Sequence, residues 1–227
     1  KIKVSLCLNI IICILVLLGT IFMITGYQFM ERTRLLASSG LSSLKFYTVE
    51  SNILVGIASF VLLVNEYRLL NNKQEKISKY AYILKFVATV SVCLTFIVTL
   101  FYLAPSLGNK FLSLYQNTNL FFHLIVPILS FISFVFYEKT NIEYKYTYLG
   151  IVTMIIYGIY YVVNVLLNLD NGNIVSSYDW YGFMKGGKVG SAIVFVIIVL
   201  ITYLISFILW RLNKVEKGKG KENEKRN

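Results

Sequence analysis

The stretch SAIVFVIIVLITYLISFILWRL, residues 191–212, contains a single charged side chain, Arg211. Its length matches the roughly 20 apolar residues that a helix needs to cross about 30 Å of hydrocarbon. Similar apolar runs occupy residues 4–26, 46–66, 80–104, 119–137 and 147–168. The sequence therefore predicts an all-α, polytopic membrane protein with six transmembrane helices.

The composition supports this fold class and leaves little room for a second domain. Hydrophobic residues make up 57% of the 227-residue chain and charged residues 15%, with a mean hydropathy of +0.68. Soluble domains carry about 25% charged residues. We expect one six-helix domain over residues 1–212 and a disordered basic tail over residues 213–227. The first run is longer than the core of a signal peptide and is followed by no typical cleavage site, so we expect it to remain as a helix.

Basic residues predict the orientation of the chain in the membrane. Of the 22 Lys and Arg residues, 15 lie near the termini and in the second and fourth connections, and 6 lie on the opposite side. Lys85 completes the set, and we expect its side chain to snorkel to the more basic surface. The positive-inside rule then places both termini in the cytoplasm of a multi-pass cell-membrane protein. The net charge of +11 is interpreted as this orientation signal, and nucleic acid is not an expected partner.

Two polar residues in different apolar runs are predicted to lie at the same depth. His123, the only histidine, follows the start of the fourth run by about one helical turn, and Thr48 opens the second run. These runs cross in opposite directions, so both residues lie near the extracellular side. Asn52, Gly56 and Ser59 follow Thr48 at helical spacing, which predicts a small, polar face turned toward the bundle interior. Such a face is equally typical of a helix-packing seam.

The fifth run and the loop after it add further polar and aromatic candidates. The fifth run carries a helical stripe of Thr153, Tyr157, Tyr160, Tyr161, Asn164 and Asn168. Trp180 and Tyr181 lie in the loop before the sixth run. Their rings would either cover a pocket as a lid or anchor the loop at the membrane interface. We consider Asn52, Asn164, Tyr160, Trp180 and Tyr181 as candidates to line a substrate or oxyanion pocket.

Several other sites are excluded by the sequence. Residues 182–188 fit the glycine spacing of a phosphate loop, but Val189 replaces the required Ser or Thr and no strand precedes the loop. One histidine and scattered cysteines cannot assemble a zinc site from His and Cys. No metal or other cofactor is expected.

Lys45-Phe-Tyr-Thr48, and His123 followed four residues later by Pro127, resemble two signature segments of a known family. This is the androgen-induced-gene family of six-helix transmembrane threonine hydrolases, with its bacterial relatives. The resemblance implies that Thr48 is the nucleophile and His123 the essential histidine. Animal members hydrolyse fatty acid esters of hydroxy fatty acids, so membrane lipids and fatty acid esters are the implied partners.

The loop at residues 180–185, Trp-Tyr-Gly-Phe-Met-Lys, departs from that family, which has a proline and an acidic residue there. Six-helix lipid acyltransferases that use a cysteine with a histidine are a weaker likeness, because no cysteine lies near His123. The implied chemistry needs His123 as the base that activates a threonine hydroxyl. No residue that orients His123 is evident in the sequence. A transporter and a non-enzymatic lipid-binding protein remain alternatives, in which Thr48 and His123 would only pack helices together.

Overall fold

The computed structural model describes residues 1–30 and 39–214. Most of the predicted tail, from residue 215 onward, lies outside the described residues. Within them, no strand occurs and six helices are long and apolar enough to cross a membrane. They are α1 (Ile2–Thr25), α2 (Tyr47–Leu70), α3 (Lys79–Ser106), α4 (Thr118–Tyr137), α5 (Tyr144–Leu167) and α6 (Gly187–Asn213). The predicted all-α polytopic fold is confirmed.

Local chemistry explains where two of these helices begin or end. α1 ends at Gly26, whose φ of 72° lies in the left-handed region that favours glycine at a helix C-terminus. α2 begins after Phe46, which has an extended backbone and follows a 3₁₀ turn at Leu41–Lys45. Thr48 therefore lies in the first turn of α2.

α4 is irregular around Pro127. Proline has no N–H, so it cannot donate to the carbonyl of His123 four residues earlier in the helix. The helix widens into a π-helical turn at Phe121–Ile125, and a second one follows at Ser133–Tyr137. π-Turns of this kind are frequent at functional sites. The proline therefore distorts α4 at the turn that carries His123.

α3 lies at the centre of the bundle. Half of its most apolar window is buried, against 22% for α1 and for α6. Phe86, Val90 and Leu94 of α3 pack in one core cluster with Phe134 of α4 and Leu209 of α6. The other helices therefore surround α3, and α1 reaches the bundle mainly through α2 and α4.

The alternating helices put both ends of the described bundle on one side, here named the terminal end, which holds Ile2 and Asn213. Asn213 donates to the backbone carbonyl of Glu138 at 3.1 Å, which ties α6 to the end of α4. At the opposite, distal end, the Tyr47 N–H donates to the Tyr181 phenol oxygen at 3.1 Å. The basic residues predict that the terminal end faces the cytoplasm, and this orientation remains a prediction.

Candidate functional site

Thr48 is half-buried and lines a small apolar cavity at the distal end. The cavity has a volume of about 50 Å³ and lies between α2, α3, α5, α6 and the loop before α6. Its other lining residues are Tyr47, Leu94, Thr95, Val98, Thr99, Leu103, Met154, Tyr157, Tyr181, Phe183 and Ile198. The Thr48 hydroxyl group thus lies in a largely apolar enclosure beside a few hydroxyl groups.

Tyr181 covers the start of α2 next to Thr48. Its phenol oxygen accepts a hydrogen bond from the Tyr47 N–H, one of the amides that a helix N-terminus leaves free. Burial raises the pKa of Tyr181 to about 12, an effect that the hydrogen bond from the Tyr47 N–H partly opposes. Tyr181 is therefore a neutral phenol at pH 7, which has one O–H group to donate.

The loop that contains Tyr181 is tied to α5 and to the segment before α2. The Trp180 indole N–H donates to the Tyr157 hydroxyl at 3.1 Å, and this hydroxyl donates to the Lys45 carbonyl at 2.8 Å. The Lys45 ammonium lies 4.9 Å from the centre of a Trp180 ring. Tyr161 donates to the Asp179 carboxylate in the same loop. The aromatic segment at 180–183 therefore packs across the Thr48 cavity.

His123 is buried in the first π-helical turn of α4, and a backbone carbonyl orients its ring. Its Nδ1 lies 2.8 Å from the carbonyl oxygen of Leu114, in the 3₁₀ segment before α4. A carbonyl can only accept, so Nδ1 carries the proton and Nε2 is left with a free lone pair. The Leu114 carbonyl is the orienting group that sequence reasoning could not identify, because a backbone atom leaves no residue-type signal.

Asn52 joins the turn of Thr48 to the turn of His123. Its side-chain amide donates to the Thr48 carbonyl at 2.7 Å and to the Phe122 carbonyl at 3.1 Å. These bonds hold the two helices at matching depth. Asn52 and Gly56 are buried, so the prediction that this face of α2 points into the bundle is confirmed for both.

The expected direct hydrogen bond between the Thr48 hydroxyl and the His123 imidazole is absent from the structure. Thr48 lines the cavity toward α3 and α5, whereas His123 does not line that cavity and bonds to Leu114 instead. The two groups were expected at about 2.6–3.2 Å, or farther apart without substrate, and the hydrogen bond is not formed in this conformation. The physical reason is that equal depth does not decide around which side of a helix a side chain points.

Two other candidates lie away from the Thr48 cavity. Asn164 does not line it, and its side-chain nitrogen is buried without a hydrogen-bond partner. Tyr160 is 45% exposed and lines a separate groove of about 340 Å³ between α2 and α5, with Glu50 and Thr153. Tyr47 and Tyr157 line both spaces. Their rings, with centres 5.0 Å apart, therefore form the wall between groove and cavity.

Sequence reasoning missed a buried charged cluster near the terminal end. Four helices supply its side chains: Ser5, Asn9, Ser59, Glu66, Lys85, Ser133 and Glu138. The ammonium of Lys85 donates to Asn9 Oδ1 at 2.7 Å and to Ser59 Oγ at 2.6 Å. The expectation that Lys85 snorkels to the surface is wrong, because the side chain is completely buried among these partners.

A sequence signal for this cluster exists in retrospect. Ser5 and Asn9 are one turn apart near the start of α1, while Glu66 and Glu138 lie near the terminal-end limits of α2 and α4. Polar residues at one depth in several spans are expected to meet, because each is costly against lipid. The position of Lys85 in the sequence does not by itself indicate these partners.

In residues 1–30 and 39–214, no group of three or more His, Cys, Asp or Glu side chains is placed to hold a metal ion. Comparisons of the chain with family models, curated proteins and solved structures find no match. The interpretation of both polar sites therefore depends on their own geometry.

Proposed function

We propose that this integral membrane protein is a hydrolase that cleaves lipid carboxylic esters, with Thr48 as nucleophile and His123 as general base. The observation that carries the proposal is the Asn52 bridge between Thr48 and the residue before His123. It brings a hydroxyl group and an imidazole to one depth. The Leu114 bond supports the role of His123, because it leaves Nε2 unprotonated.

The proposed reaction begins when the Thr48 oxygen attacks the ester carbonyl while His123 Nε2 takes the hydroxyl proton. The tetrahedral intermediate collapses, the alcohol leaves with the proton from His123, and the acyl group stays on Thr48. Water, deprotonated by His123, then releases the fatty acid and restores the threonine. Because no hydrogen bond joins the Thr48 hydroxyl to His123, this proposal requires a bridging water or a change of the Thr48 rotamer when substrate binds.

The enclosure around Thr48 suits an ester. The lining by Leu94, Val98 and Met154 favours the alkyl part next to the reacting carbonyl. Tyr181 is the proposed donor to the oxyanion, because its oxygen accepts from the Tyr47 N–H and a neutral phenol also has one O–H to donate. The cavity of about 50 Å³ holds only the reacting group. The rest of the lipid is proposed to lie in the groove of about 340 Å³, which requires the Tyr47 and Tyr157 rings between groove and cavity to separate when substrate binds.

The proposal is tested by labelling the purified protein in detergent with a fluorophosphonate and by following hydrolysis of a fatty acid ester. Thr48→Ala should abolish both signals, whereas Thr48→Ser, which keeps a hydroxyl, should retain part of them. Thr20→Ala is the matched control, because Thr20 is also half-buried and its hydroxyl bonds only to its own helix at the Val16 carbonyl. Its activity should equal that of the wild type.

His123→Ala should lose activity to the same extent as Thr48→Ala, and the double variant should be little worse than either, since residues that act as one unit are not additive. Normal ester turnover by a stable, well-expressed Thr48→Ala protein would refute the assignment of Thr48 as the nucleophile. Loss of activity in the Thr20→Ala control would instead show that the assay reports on folding.

A further inference from the structure

The charged cluster contains more negative than positive formal charge. Glu66 and Glu138 are 2% and 1% exposed, and the one Lys or Arg within 4.0 Å of either carboxyl group is Lys85, 3.7 Å from Glu138 Oε1. This count covers the described residues. With both carboxyl groups ionised, the cluster would carry a net charge of −1 away from water. Burying an unpaired charge costs several kcal/mol, so a further positive charge is expected in the cluster.

The two carboxyl groups differ in how many of their oxygens accept hydrogen bonds. Glu66 accepts on both oxygens, from Ser5 on Oε1 and from Asn9 on Oε2. Glu138 accepts on Oε1 alone, from Asn9 at 3.0 Å and from Ser133 at 2.5 Å. Its Oε2 is buried without any hydrogen-bond partner. An ionised carboxylate accepts on both oxygens, so Glu138 lacks the donors on Oε2 that would stabilise its charged form.

Glu66 and Glu138 share two hydrogen-bond donors. The Asn9 amide donates to both, and the Ser5 oxygen, which bonds to Glu66, also lies 3.5 Å from Glu138 Oε1. These shared donors couple Glu66 to Glu138, so that protonation of one carboxyl group affects the other.

Few other titratable groups face this pair. α3 adds Tyr82, which interacts electrostatically with both carboxyl groups, and α1 adds Cys13, which interacts with Lys85. α6 contributes the neutral Asn213, which bonds to the Glu138 carbonyl. Neither Tyr82 nor Cys13 supplies a positive charge, so the missing charge has to come from outside the protein.

We propose that the charged cluster is a proton-binding site in which Glu66 and Glu138 together hold one exchangeable proton. That proton makes the cluster neutral, with one carboxylate balanced by Lys85. It exchanges with water at the terminal end, because Glu138 directly follows α4 and precedes the exposed Lys139. Release of the proton leaves a buried negative charge between α1, α2 and α4 and weakens their packing.

The sign of the pH effect follows from linkage. In the unfolded chain a Glu side chain is ionised above about pH 4.3, whereas the folded cluster keeps its proton. The folded state therefore binds more protons, and stability falls as pH rises until the folded cluster has also released its proton. One linked proton raises the unfolding equilibrium constant by up to about tenfold per pH unit.

The test measures unfolding of the full chain in detergent from about pH 5 to about pH 9, a range above the ionisation of an exposed Glu. The wild type should lose stability as pH rises. Glu66→Gln and Glu138→Gln should each flatten this dependence, because the remaining carboxylate balances Lys85 without a proton. Glu75→Gln is the matched control, since Glu75 is exposed in the connection at the same end and should leave the dependence unchanged.

Infrared spectroscopy of ¹³C-glutamate-labelled protein gives a second readout that does not require a variant to fold. A protonated-carboxyl band at pH 7 that disappears as pH rises would support the proposal. Absence of that band would overturn it. Stabilisation by NaCl or KCl over N-methylglucamine chloride, lost in Glu138→Gln, would also overturn it, because a metal ion would then supply the charge.

Discussion

Replacing Gly56 by alanine tests the close approach of α1 and α2 below the Asn52 bridge. A Cβ atom at position 56 would lie 2.7 Å from Val16 Cγ1 and 3.1 Å from Val16 Cβ. Contacts this short require the helices to separate, and overpacking of this kind typically costs about 1–3 kcal/mol. Alanine regains about 1 kcal/mol of helix propensity over glycine. We therefore expect Gly56→Ala to lower the free energy of unfolding by about 0–2 kcal/mol.

A double-mutant cycle separates the two contributions. Val16→Ala removes Cγ1, the atom nearest to the new methyl group. The helix-propensity gain is the same in both backgrounds and cancels in the cycle. The remaining coupling energy is the relief of the clash, expected at about 1–3 kcal/mol.

The assay is reversible unfolding in mixed micelles titrated with SDS. Gly190→Ala is the matched control, because a Cβ atom at Gly190 in α6 meets nothing within 4 Å. It should stabilise the protein by up to about 1 kcal/mol through helix propensity alone. A coupling energy below about 0.5 kcal/mol between positions 16 and 56 would refute the described packing of α1 on α2.

Two further predictions concern orientation and the lid. A cysteine at Asn173, in the loop before α6, should react with a membrane-impermeant maleimide on intact cells, while a cysteine at Asn223 stays protected; the reverse pattern would overturn the orientation. Tyr181→Phe should lower kcat for ester hydrolysis by about 10²–10³-fold, the usual loss for one oxyanion donor, with Tyr178→Phe in the same loop as the unaffected control. An unchanged kcat would exclude Tyr181 as that donor.

The candidate hydrolase site was predictable in part. Helical spacing and span direction are properties of the chain alone, and they predict that Thr48 and His123 lie at one depth and that Asn52 shares a helix face with Thr48. The Leu114 carbonyl was not predictable, because its role depends on how the 3₁₀ segment before α4 folds back. The absence of a hydrogen bond between Thr48 and His123 also depends on the tertiary structure. Sequence spacing locates depth along a helix, but the rotation of that helix against its neighbours depends on packing.

The sequence by itself determined the six crossings and the buried face of α2. Hydrocarbon offers no hydrogen-bond partners to the backbone, so each long apolar run must satisfy its own peptide groups as a helix. Only the tertiary structure decided where the Lys85 side chain lies. By its position near the start of α3 it was expected at the surface, yet the bundle surrounds its ammonium with Asn9, Ser59 and Glu138. These partners come from three other helices, and only the packed bundle brings them close enough to hold a charge away from water.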